Sequence, residues 1–168
     1  MSNPFLSPST LPYQLPPFAD IAVKHYAPAI EAGMAEQRRE IDAITAEQQP
    51  ATFDNTMVAL ERSGQTFMRV LRVFFNQSSA DSTDAVAAIE EEFAPRLAAH
   101  DDAIELDGAL YARIRHLHEH RDALDLDAEQ RYLIERRFTL MTLAGAGLDD
   151  AQKARLTVLN QRLSVLQT

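Results

Sequence analysis

Beyond its first twenty-odd residues the chain places apolar side chains at every third or fourth position, and no stretch alternates with period two over a convincing length. That spacing closes off sheet folds. A strand shows alternate residues to one side, whereas a helix gathers i, i+3, i+4 and i+7 on one face. The strongest instance is Phe67, Val70, Leu71, Phe74 and Phe75, a full apolar stripe over two turns. The fold class that follows is all-α, a multi-helix bundle of about six or seven helices preceded by an extended Pro-rich arm.

The punctuation supports that reading. Ile30, Met34, Ile41 and Ile44 mark a long first helix that tolerates Pro28 in its opening turn. Thr52, placed after Pro50, suits the N-cap of a short helix through Leu60, which Ser63-Gly64 interrupts. A polar break at 78–82 leads to a helix carrying Val86, Ile89, Phe93 and Leu97, with Pro95 predicting a kink or two abutting helices. Asp107 or Gly108 opens a helix striped by Leu110, Ile114 and Leu117. Asp127 caps another that holds Leu133, Ile134, Phe138, Met141 and Leu143 and stops at Gly145 and Gly147. The last helix starts near Asp149 and bears Leu156, Leu159, Leu163 and Leu166, a 3-4-3 stripe running almost to Thr168 with no terminating residue. Two expectations stay open for it: a helix that continues in a longer polypeptide, or a terminal helix docked in the bundle.

Two segments are expected. Residues 1–20 hold five of the eight prolines and cannot be a continuous helix. They also carry Phe5, Leu6, Leu11, Tyr13, Leu15 and Phe18, so the arm is expected to pack on the body formed by 21–168. A chain of 168 residues can bury a core without staples. The lack of cysteine removes disulfides and thiolate chemistry and fits a reducing compartment. With 25 acidic against 16 basic residues, net −9, and no basic stripe, nucleic acid is not an expected partner. No apolar run approaches the roughly 18 residues of a membrane span, and the N-terminus lacks the basic region of a secretory signal. A cytoplasmic location is the expectation.

One motif invites a catalytic reading. HLHEH, residues 116–120, lies one letter from H-E-x-x-H, in which two imidazoles a turn apart hold zinc and the glutamate activates water. Starting at His118, the second histidine would fall at Asp122; starting at His116, the next residue is Leu117 and not glutamate. His116 and His120 share a solvent side of the helix as a weak, adventitious metal pair, but two imidazoles are half a zinc site. Other chemistry is no better furnished. No glutamate stands three residues before any histidine, and no glycine-rich phosphate loop or G-x-S-x-G occurs. Glu90-Glu91-Glu92 turns around a helix, and His25 beside Tyr26 reads as an acid–base group or as a staple at a helix start. From these residues no catalytic residue is assigned, and the substrate-binding residues stay unknown.

Three long segments resemble a known family. NPFLSPSTLPYQLPPFADI, KHYAPAIEAGMAEQRREIDAI and PATFDNTMVALERSGQTFMRVLRVFFNQSSAD are similar to the N-terminal region of the thimet-oligopeptidase-like zinc metallopeptidases, nearest the bacterial peptidyl-dipeptidase and oligopeptidase A branch. The IEEEFAPRLAAHDDAIELDGALYARI and RRFTLMTLAGAGLDDAQKARLTVLNQRLSVL blocks fit as well. The resemblance implies a helical N-terminal domain forming one wall of a channel that admits short peptides. It implies zinc in the full-length parent, held by a later H-E-x-x-H helix and a downstream glutamate in a C-terminal catalytic portion that is this chain's partner. No residue here matches those ligands. The expectations are therefore a chain truncated before the catalytic segment, inactive alone, and prone to self-association through uncovered apolar surface. A free-standing helical interaction module is the alternative.

Overall fold

A computed structural model describes residues 3–167. Seven α-helices occur among them, with no strand: α1 (Tyr26–Ala46), α2 (Ala59–Arg62), α3 (Gln65–Ala80), α4 (Asp84–Glu105), α5 (Gly108–His120), α6 (Ala128–Ala144) and α7 (Asp150–Gln167). The α2 helix is one turn that continues a π-helical segment, Phe53–Val58. The caps are local chemistry. Thr52 Oγ1 accepts from Asn55 N at 3.1 Å while Thr52 N donates to Asn55 Oδ1 at 2.8 Å, a reciprocal box that satisfies two orphan donors. Asp107 Oδ1 accepts from the amides of Ala109 and Leu110, both at 2.9 Å, so Asp107 and not Gly108 is the cap of α5. Asp127 and Gln130 form a second box at the head of α6. At its foot Gly145 takes φ 104°, and Ala146 N donates back to Met141 O, a left-handed stop that side chains rarely adopt. Helix α4 runs as one element through Pro95 and is not divided in two.

Two apolar clusters form the core. The first joins the start of α1 (Tyr26, Ala29, Ile30) to α3 (Phe67, Val70, Val73, Phe74) and the first half of α4 (Val86, Phe93). The second joins the end of α1 (Ile41, Ile44) to Met57, Leu60, Ile104, the stripe of α5 and Ile134 and Met141 of α6. Each fully buried aliphatic or aromatic side chain contributes about 1.5–3 kcal/mol. Helices α1 and α4 thus thread both clusters and hold them in register.

The arm is not helical apart from a 3₁₀ turn at Pro12–Gln14, where Tyr13 and Gln14 have φ of 56° and 54°. Phe5 is buried against Tyr26, ring centroids 5.4 Å apart, and Arg69 Nη1 donates to Phe5 O at 2.8 Å. Leu11, Tyr13, Leu15 and Phe18 remain exposed.

Periodicity misplaced three faces. Phe75 is exposed and Val73 is buried in its stead, because α1 and α4 approach α3 from that side. Leu143 is 79% exposed. Most of all, the stripe of α7 is not its packed face: Leu159, Leu163 and Leu166 are exposed, and α7 lies on α4 with Thr157 and Asn160 turned inward. The reason is on α4, whose facing residues are Ala99, Asp102 and Ala103. Asn160 Nδ2 donates to Asp102 Oδ1 at 2.7 Å, a bond no leucine could make.

Candidate functional site

The histidines of α5 are placed by its buried stripe. Leu110, Ile114 and Leu117 face the core, which leaves His116 and His120 on the exposed side. Their ring centroids are 4.3 Å apart, and His120 Nδ1 lies 2.8 Å from His116 O. His118 instead stacks on Phe138 of α6 at 4.1 Å, an inter-helix packing role. Glu119 pairs with Arg115 at 3.8 Å, and Asp122, in the place a second motif histidine would need, pairs with Arg131 at 3.2 Å. Among the described residues no three His, Cys, Asp or Glu side chains converge on a point that could hold a metal ion. The zinc that the resemblance implies needs at least three protein ligands and an activating carboxylate. His116 and His120 supply two, and among the described residues no third ligand converges with them, so the residues present do not fit that metal.

His25 is committed at the start of α1: its Nδ1 accepts from Ala22 N at 3.0 Å and its carbonyl accepts from Asn3 Nδ2 at 2.8 Å. Of the acidic run, Glu90 bonds Ser78 Oγ across α3 and α4, and Glu92 pairs with Arg96.

A concavity lies elsewhere. A cleft of about 910 Å³ opens between the arm (Tyr13, Leu15), α3 (Met68, Arg69, Arg72), α4 (Asp101, Glu105) and Arg137 of α6. It carries both signs of charge. Arg137 is pinned by Glu61 at 3.2 Å and Glu105 at 3.4 Å, and Arg69 by the arm. Asp101 is an exposed residue at the cleft rim; partial burial of its carboxyl, followed by the like charges of Glu105 and Asp102, raises it above its usual range. Ser63 Oγ donates to Leu60 O at 2.7 Å and so is no free nucleophile. Such a wall can hold a small zwitterionic chain by charge and shape, while no nucleophile–base pair lies in it among the described residues.

Residues that sequence reasoning passed over hold the surroundings rigid. Arg113 donates to Thr56 Oγ1, Asn55 Oδ1 and the carbonyls of Glu47 and Gln49, tying α5 to the end of α1 and the π-helical turn. His100 is buried between α1 and α3, with Nε2 2.8 Å from Gln37 Oε1 and its ring edge-on to Phe67 at 4.8 Å. Burial, then the charge of Arg38, holds it below the ordinary 6.5.

Fold and site together define a helical scaffold bearing an open, charged cleft and, among the described residues, no cluster of three or more His, Cys, Asp or Glu side chains that could hold a metal ion. Comparison with known proteins supplies its relatives. The chain is 43% identical over 164 residues to dipeptidyl carboxypeptidase of Escherichia coli (strain K12), a match covering 98% of this chain and 24% of that protein. It is 40% identical over 167 residues to the Salmonella typhimurium dipeptidyl carboxypeptidase, 99% of this chain and 25% of the relative. Oligopeptidase A of E. coli is 24% identical over 166 residues, again 99% against 24%. No family model matches the chain. The chain is thus related to the dipeptidyl carboxypeptidase and oligopeptidase A group, as the resemblance to the N-terminal region of thimet-oligopeptidase-like peptidases implied. It spans about a quarter of the length of the curated relatives it matches.

Proposed function

We propose that this chain is the N-terminal helical portion of a zinc-dependent peptidyl-dipeptidase or oligopeptidase, a channel wall that presents short peptides to a catalytic part encoded further along. The observation that carries the reading is its 43% identity to a dipeptidyl carboxypeptidase, maintained over nearly the whole chain yet over only a quarter of that relative. The mixed-charge cleft supports a role beside a peptide's path, because a short peptide carries a charge at each end. In this reading the parent's metal and general base lie outside these residues, and the 168-residue chain by itself hydrolyses nothing. We place the parent in the cytoplasm, in keeping with a cysteine-free sequence; no helix among the described residues is long and apolar enough to cross a membrane.

The reading is tested by the gene downstream of Thr168. A frame that runs on into H-E-x-x-H supports it, and a product of that frame that cleaves short peptides in a chelator-sensitive way supports it further. A stop codon directly after this chain in the natural gene overturns it and favours a free-standing helical interaction module, for which the uncovered leucines of α7 are the favouring observation.

A further inference from the structure

The stripe of α7 has the geometry of a helix-pairing seam. Leu156, Leu159, Leu163 and Leu166 are spaced three, four and three residues apart, the alternation that knobs-into-holes packing uses. Only Leu156 is partly covered, near the turn at Gly145; Leu159, Leu163 and Leu166 are 54%, 52% and 75% exposed. The other flank of the seam is taken, since Asn160 is bound to Asp102 of α4. On the open flank stand Arg155 and Arg162, two turns apart, and neither makes an ion pair or hydrogen bond with any described residue. In a chain of net charge −9 an unpaired cationic row beside an apolar seam selects its occupant by charge. A second copy is a poor one. An antiparallel pairing sets the arginine rows against each other, and a parallel pairing sets them against the Asn160 position, already engaged.

We propose that this seam seats an amphipathic helix with its own 3–4 apolar stripe flanked by carboxylates, supplied by the part of the longer polypeptide that the relatives carry and this chain does not. The inference rests on the reading of the chain as a portion of such a polypeptide; the relatives are about four times its length.

The 168-residue chain is titrated with two synthetic helices of about four heptads, both with leucine at the seam positions, one with glutamate and the other with lysine at the flanking positions. The glutamate helix binds at least roughly tenfold tighter at low salt. The Leu159→Asp/Leu163→Asp variant loses that binding, and Arg155→Glu/Arg162→Glu reverses the preference. Equal affinity for the two helices, or none for either, overturns the proposal. So does a seam-dependent dimer of the chain alone in sedimentation, which would assign the face to a second copy. Because these 168 residues hold no cysteine, L163C gives the chain a single thiol, and peptide mapping of the label reads the same position in a longer product. In the product of the continued frame it reacts with a maleimide at least about tenfold more slowly than in the 168-residue chain. Equal reactivity overturns the surface and leaves the parent reading standing, whereas a gene that stops at this chain overturns both.

Discussion

Gly33 and Gly108 make a matched pair of residues in which one substitution should have opposite outcomes. A Cβ on Gly33 would lie 2.7 Å from Phe67 Cα and 2.9 Å from Phe67 N, backbone atoms that cannot swing aside, where α1 and α3 cross. Gly33→Ala should therefore cost about 1–3 kcal/mol despite alanine's better helix propensity, read as a lower denaturation midpoint. At Gly108 the added methyl meets only Lys153 Nζ at 3.4 Å, the end of a mobile side chain. Gly108→Ala should leave stability unchanged or raise it by up to about 1 kcal/mol in the same titration. His100 gives a residue-scale pH effect. With its folded pKa held below the ordinary 6.5, the unfolded chain takes up a proton that the folded chain resists, so its contribution is full above about 6.5 and is lost progressively as pH falls from there through the lower folded value. Asp101, raised above 3.8, works in the opposite sense at lower pH, since there the folded chain binds the proton more readily. Thermal denaturation of the wild type and of His100→Gln between about pH 7.5 and pH 5 separates the two, the variant losing less as the pH drops.

At the scale of elements, α5 and α7 show how ends and faces are decided. Removing the cap of α5 by Asp107→Ala strips acceptors from two amides at 2.9 Å and should cost about 1–2 kcal/mol in chemical denaturation. For α7 the polar side carries the stability. Leu163→Gln should shift the denaturation free energy by less than about 0.5 kcal/mol, because that side chain already stands in water. Asn160→Ala, which takes the amide from Asp102 Oδ1, should cost about 1 kcal/mol or more, since Asp102 Oδ2 is buried and has no partner of its own among the described residues. A larger loss from Leu163→Gln than from Asn160→Ala would contradict the observed face of α7. The 3-4-3 stripe was legible in the sequence, but its destination was not. Periodicity reports that a face is apolar; whether the same fold covers it depends on what the neighbouring helix offers.

The whole molecule is two apolar clusters spanned by α1 and α4, with a charged cleft beside them and a leucine seam left open. At this scale the prediction is functional. The purified 168-residue chain, incubated with short unstructured peptides and zinc, should show no chelator-sensitive cleavage by mass spectrometry; turnover would return His116 and His120 to consideration and sink the parent reading. The helical class, the N-caps Thr52 and Asp127 and the glycine stop of α6 were determined by the sequence alone, because each rests on groups within a few residues of one another, whereas the choice of Asp107 over Gly108 at α5 was not. The near-miss at 116–120 was also legible there, as a missing residue type at a fixed spacing. Only the tertiary structure decided that Gln37 meets His100, that Arg113 closes the π-helical turn, that Val73 displaces Phe75 from the core and that α7 turns its leucines outward. Those outcomes depend on surfaces tens of residues apart in the chain, and local spacing carries no term for a partner that has not yet been brought near.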